Sequence, residues 1–98
     1  LIRHIGVMWR QIKINIMEKK IEEIFQVAKG YLKNNFSLDE AEIRPESNFV
    51  LDLGLDSLDL VEFFLALQAE YGVDPEDSDI EKSHTLIEAC EIFARLIK

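Results

Sequence analysis

Apolar residues in this 98-residue chain return at intervals of three and four in three separate stretches, and that period belongs to helices packed against one core. Between Glu18 and Asn35 the repeating set is Ile21, Ile24, Phe25, Ala28, Tyr31 and Leu32, with Glu and Lys between them. A second set, Leu60, Phe63, Phe64, Leu67 and Tyr71, follows Asp56. The third, Leu86, Cys90, Phe93 and Ile97, runs to the C-terminus behind Thr85-x-x-Glu88, a capping box. Nothing resembles a strand of useful length. The expected fold is all-α: a four-helix bundle of three longer helices and one short helix, with a long loop between helix 1 and helix 2.

The punctuation supports this layout. Asn34-Asn35 is a stop for the first helix, because both side chains compete locally for backbone hydrogen bonds. Pro45 forbids a helix in the stretch from Phe36 to Leu55, so that stretch is a loop. Ile43, Phe49, Leu51 and Leu53 are spaced to peg it to the core, and Ser37-x-x-Glu40 is expected to cap one short turn inside it. Gly72 supplies a left-handed terminus for the second helix. The short helix is expected between Ser78 and Lys82.

Charge separates the chain into two parts. Residues 1–17 carry Arg3, Arg10 and Lys13 and no acid, while the remaining residues carry a net charge of −11 out of the whole chain's −8. Ten acids and no Lys or Arg lie between Asp52 and Glu81. Such a surface repels nucleic-acid phosphates and anionic lipid and attracts basic protein surfaces.

Residues 1–16 are read as an N-terminal extension, disordered or non-native, ahead of Met17, and residues 17–98 as the domain proper. Ile2, Ile5, Trp9, Ile12 and Ile16 do recur at helical spacing, but charges interrupt them too often for a membrane span. No stable membrane insertion is expected. The single cysteine, Cys90, excludes an intramolecular disulfide and sits in an apolar pattern, which points to a reducing, cytoplasmic setting and a buried small hydrophobe.

The second helix carries one apolar stripe too many. At 100° per residue, Leu58, Val61, Glu62, Leu65 and Ala69 fall opposite the core set, and they cannot face the same core. Burial on both sides would trap the Glu62 carboxylate, so the second stripe is expected to be a docking surface with an acidic rim. It begins beside Ser57. Asp56 is the expected N-cap with Asp59 as its reciprocal partner, which leaves Ser57 in the first turn, where free amides and the helix dipole favour an anion such as a phosphodiester.

Gly54-Leu55-Asp56-Ser57-Leu58, followed by Val61-Glu62, resembles the acyl carrier proteins, a phosphopantetheine-binding carrier family, and the helix and loop order of residues 17–98 is similar too. The resemblance implies that Ser57 is the acceptor of covalent 4′-phosphopantetheine from coenzyme A, attached by a separate phosphopantetheinyl transferase that uses Mg²⁺. It implies that Asp56 assists at the transferase's metal, and that Leu58, Val61, Glu62 and Leu65 touch partner enzymes. Those partners are acyl-processing enzymes with basic docking surfaces, drawn from fatty acid, lipid or polyketide synthesis. The protein would be a monomeric carrier rather than an enzyme. Gln68, Ala69, Leu60 and Ser83 depart from common residues of the family, which suggests a specialised carrier.

Other functions find little support. His4 and His84 are the only histidines, neither is near Ser57 in sequence, and no G-x-S-x-G elbow is present. The acidic stretch from Asp74 to Glu81 lacks the glycine and spacing of a calcium loop, so no metal site is assigned. A peptidyl or aminoacyl carrier, or an unmodified helical interaction module, are the alternatives.

Overall fold

The structure is a computed structural model that describes the backbone of residues 2–97 and the side chains of residues 15–97. Its helices are α1 (Ile2–Phe36), α2 (Ser57–Tyr71), α3 (Asp77–Lys82) and α4 (Leu86–Leu96), with one 3-10 turn at Glu40–Glu42. Among the described residues there is no strand, only an isolated bridge between Asn48 and Thr85. The all-α bundle of three longer helices and one short one is the architecture found.

Helix α1 is longer than the periodic stretch 18–35, because its backbone continues toward the N-terminus past Met17 to Ile2. Its core contribution comes from Ile24, Ala28 and Leu32, all buried, with Ile21, Phe25 and Tyr31 packed beside them. The stop comes close to the expected asparagines. Asn35 Nδ2 donates to Tyr31 O at 3.0 Å, competing with the helical ladder, and Ser37 turns left-handed at φ 54°.

That conformation also corrects the expected cap. Ser37 does not cap the turn in the loop; Asp39 does, its Oδ1 accepting from Ala41 N at 3.2 Å. The pegs need one correction as well. Ile43, Phe49 and Leu53 are buried, and Leu55 joins them, but Leu51 is 84% exposed. Asn48 Oδ1 accepts the N–H groups of both Val50 and Leu51, which folds residues 50–53 into a turn and points Leu51 away from the core.

The loop is fastened to the start of α4. Phe49 N donates to His84 O at 2.9 Å, Leu86 N to Ser47 O at 3.0 Å and Ile87 N to Pro45 O at 2.8 Å. Ser47 is itself buried and fully engaged, donating to Glu42 O and accepting from Arg44 N. Backbone groups that would otherwise be orphaned inside the domain therefore find partners.

Phe49, Phe63, Phe64 and Phe93 touch ring to ring at the centre, with centroids 5.3–6.2 Å apart. Helix α1 packs chiefly along α4 and also against α2. Cys90 is buried, and burial first and the Glu91 charge second push its thiol up to about 12. It packs as a small hydrophobe and is inert near neutral pH. No helix among the described residues is long and apolar enough to cross a membrane.

Candidate functional site

Helix α2 starts where the sequence places it. Asp56, extended at φ −95°, is the N-cap: its Oδ1 accepts from Asp59 N at 2.8 Å, and Asp59 Oδ2 accepts from Asp56 N at 3.1 Å. Two features aim this start. Leu55 is buried and donates its N–H to Phe49 O, and Gly54 turns the chain at φ 66°, a conformation open to glycine without strain. A Cβ at Gly54 would meet nothing, so conformation rather than space calls for glycine there. The far end closes as expected, with Gly72 left-handed at φ 63°.

Ser57 is the first residue of α2 and is exposed. Its hydroxyl has no hydrogen-bond partner among the described residues. The amides of Ser57 and Leu58 are also without an acceptor among the described residues, since the first ladder bond is Leu60 N to Asp56 O and the cap takes Asp59 N. An exposed nucleophilic oxygen thus stands beside two free donors and the positive end of a helix. Nearby Asp52, Asp56 and Asp59 oppose an anion, but all three are solvated or engaged in turns and caps.

The two stripes of α2 separate as the spacing requires. Phe63, Phe64 and Leu67 are buried, with Leu60 and Tyr71 half-buried beside them. Leu58, Val61 and Leu65 are 66%, 54% and 55% exposed, and Glu62 and Ala69 are exposed among them. The second apolar stripe faces water.

A groove of about 520 Å³ opens next to Ser57, between α2 and α3. Leu60, Val61, Phe64, Leu65 and Ile80 form its apolar wall. Gln68, Ser83 and His84 line it too, so Leu60 and Gln68 of α2 meet Ser83 at one cavity. Ser83 does not leave a polar atom stranded there, because its Oγ donates to Ile80 O at 2.8 Å. A smaller cleft of about 240 Å³ between α3 and α4 has mostly charged walls and does not include Ser57.

His84 is the residue that linear spacing missed, since it reaches the same groove as Ser57 from 27 positions away. It forms no dyad. Among the described residues no hydrogen bond joins the two side chains, and His84 is engaged through its backbone, its N–H donating to Glu88 and its carbonyl accepting from Phe49 N. Among the described residues, then, Ser57 has no histidine base hydrogen-bonded to it. Nor do the described acids, histidines and cysteine form a cluster that could hold a metal ion.

Comparison with known proteins shows the family of the chain. Residues 26–93 match the family model described as the phosphopantetheine attachment site. The chain belongs to the phosphopantetheine-binding acyl carrier protein family. It is 43% identical to an acyl carrier protein of Lactobacillus acidophilus over 68 residues, which cover 69% of this chain and 85% of the relative. Identity to an acyl carrier protein of Thermotoga maritima is 38% over 65 residues, 66% of this chain and 80% of that one. With the acyl carrier protein of a Picosynechococcus species it is 40% over 73 residues, or 74% and 90%. Membership in the acyl carrier proteins implies a covalent 4′-phosphopantetheine group and the role of carrier rather than catalyst. The start of α2 suits that group: it has a free hydroxyl, two unclaimed amides and an open apolar groove within one helical turn.

Proposed function

We propose that Ser57 carries the 4′-phosphopantetheine arm and that this chain ferries acyl groups for partner enzymes of fatty acid, lipid or polyketide synthesis. One observation supports the assignment above the rest: Ser57 is exposed at the first position of α2 with its hydroxyl and the two nearest amides unengaged. When bound, the arm supplies a terminal thiol on which acyl groups ride as thioesters.

Attachment is the work of a separate phosphopantetheinyl transferase. An Oγ–phosphorus bond forms, a phosphorus–oxygen bond in the pyrophosphate of coenzyme A breaks, and adenosine 3′,5′-bisphosphate leaves. The serine proton passes to the transferase side, since no base among the described residues hydrogen-bonds Ser57. Asp56 keeps one oxygen on the cap and has the other free to meet the transferase's Mg²⁺. Leu58, Val61, Glu62 and Leu65 are the docking surface, and the unpaired acids around them fit partners with basic faces.

The carrier domain comprises residues 17–98, with residues 1–16 an N-terminal extension; the family match at 26–93 falls inside that domain. A monomer in the reducing cytoplasm suits a chain whose one cysteine is buried.

The test is the intact mass after incubation with coenzyme A, Mg²⁺ and a broad-range transferase. The chain gains one phosphopantetheine, and Ser57→Ala gains none while melting at the same temperature. A Ser57→Ala variant that is still modified rejects the site. Loading the modified chain with acyl and aminoacyl donors in parallel then checks the cargo, with acyl groups the ones accepted.

A further inference from the structure

The turn just ahead of α2 holds an apolar side chain out in water, and holds it firmly. Leu51 is the most exposed of the large hydrophobic residues described, at 84%, and Val50 beside it is 56% exposed. Little slack remains around them. Asn48 Oδ1 accepts from Val50 N and Leu51 N, Asp52 Oδ2 accepts from Asn48 N at 2.7 Å, and Gly54 N returns to Val50 O at 3.1 Å. Phe49 and Leu53 are buried on either side. The fold gains almost nothing from Leu51, yet its backbone is already ordered, so a partner covering it would lose little conformational freedom in the process.

Position says which partner. Leu51 lies six residues before Ser57, on the turn that leads into the cap of α2. An enzyme acting on the far end of the arm can rest on the exposed stripe of α2 alone. The transferase cannot, because it must bring the reacting phosphorus to Ser57 Oγ itself, and its footprint has to spread over the ground around the helix start. Charge narrows the fit further. Asp52 is the first of ten acids with no intervening base up to Glu81, which suits an apolar notch with a basic rim.

We propose that Leu51, supported by Val50, is an apolar anchor for the phosphopantetheinyl transferase, a contact separate from the exposed stripe of α2. This rests on Ser57 being the modified residue.

Transfer kinetics measured with the full chain, coenzyme A and a broad-range transferase test it. Leu51→Ser raises KM for the chain about tenfold with kcat little changed, the scale of taking one leucine out of water in binding that is uniform along the reaction. Its melting temperature stays where it was. Ile16→Ser, which removes an exposed apolar side chain from α1, leaves KM unaltered. Equal KM values for the wild type and Leu51→Ser overturn the proposal. So does a Leu51→Ser variant that is modified normally but acylated slowly, since that moves the contact to a later enzyme. A wild-type chain that is never modified brings down the Ser57 assignment along with this one, whereas normal wild-type modification with an unchanged variant brings down this one alone.

Discussion

Helices α2 and α4 begin with the same device and put it to opposite use. Each has an acceptor at the N-cap, Asp56 or Thr85, and an acid three residues on that returns the bond, Asp59 or Glu88. In α4 the two amides ahead of the capped one donate to Ser47 O and Pro45 O of the long loop, so nothing is left over. In α2 the same two amides, on Ser57 and Leu58, have no acceptor among the described residues. Burial follows the same split: six of the eleven residues of α4 are buried against three of the fifteen in α2. One helix start is closed by the fold, and the other stays open, as the proposed attachment at Ser57 requires.

Moving the serine tests this contrast most severely. Leu86 is the first residue of α4, the counterpart of Ser57, and it is fully buried. Leu86→Ser should destabilise the domain by about 3 kcal/mol or more, the range for emptying a leucine site in a core, read as the shift of the urea midpoint. It should acquire no second phosphopantetheine in intact-mass measurements. A doubly modified chain would show that a capped helix start is sufficient by itself and that openness is irrelevant.

Much of the contrast is legible in sequence, and the missing part has a physical cause. Cap, partner acid and terminal glycine of α2 are local, lying within 17 residues from Asp56 to Gly72, and they could be read residue by residue. The surplus apolar stripe was visible because Leu58, Val61 and Leu65 cannot share an azimuth with Phe63 and Leu67. What closes α4 was not visible, since its acceptors at positions 45 and 47 lie about forty residues upstream. Leu51 misled for a related reason. It alternates with Phe49 and Leu53 as a peg would, but the Asn48 side chain turns the backbone between them. His84 reaches the groove beside Ser57 only through the tertiary fold.

A gentler probe compares a glutamate from each helix. The three ion pairs among the described residues all lie between Lys29 and Glu46, so none relieves the acids between 52 and 81. Glu62 is exposed on α2, one turn beyond Asp59, and like charges at that spacing are destabilising by about 0.2–0.5 kcal/mol. Glu62→Gln should therefore raise the melting temperature in dilute buffer, with the gain vanishing as salt or Mg²⁺ screens the wild type. If the wild type does not itself melt higher in added salt, self-repulsion is not what limits this region.

Glu88 should respond in the opposite sense. Its carboxylate is held below the usual range first by the Thr85 hydroxyl bond, then by the His84 backbone N–H, with Thr85 N adding to them. A group whose folded value is depressed stabilises the fold above its unfolded value and loses that contribution as pH falls through the folded one. Glu88→Gln keeps an acceptor for the box but removes the ionisation. At neutral pH it should be slightly less stable than the wild type, and the gap should close stepwise as pH drops below 4.5, the ordinary glutamate value. Subtracting one urea midpoint from the other at each pH isolates Glu88 from the other acids, whose protonation is common to both chains. A gap that stays constant through that window would mean that the cap of α4 holds by geometry alone, and that the charge it shares with α2 counts for nothing there.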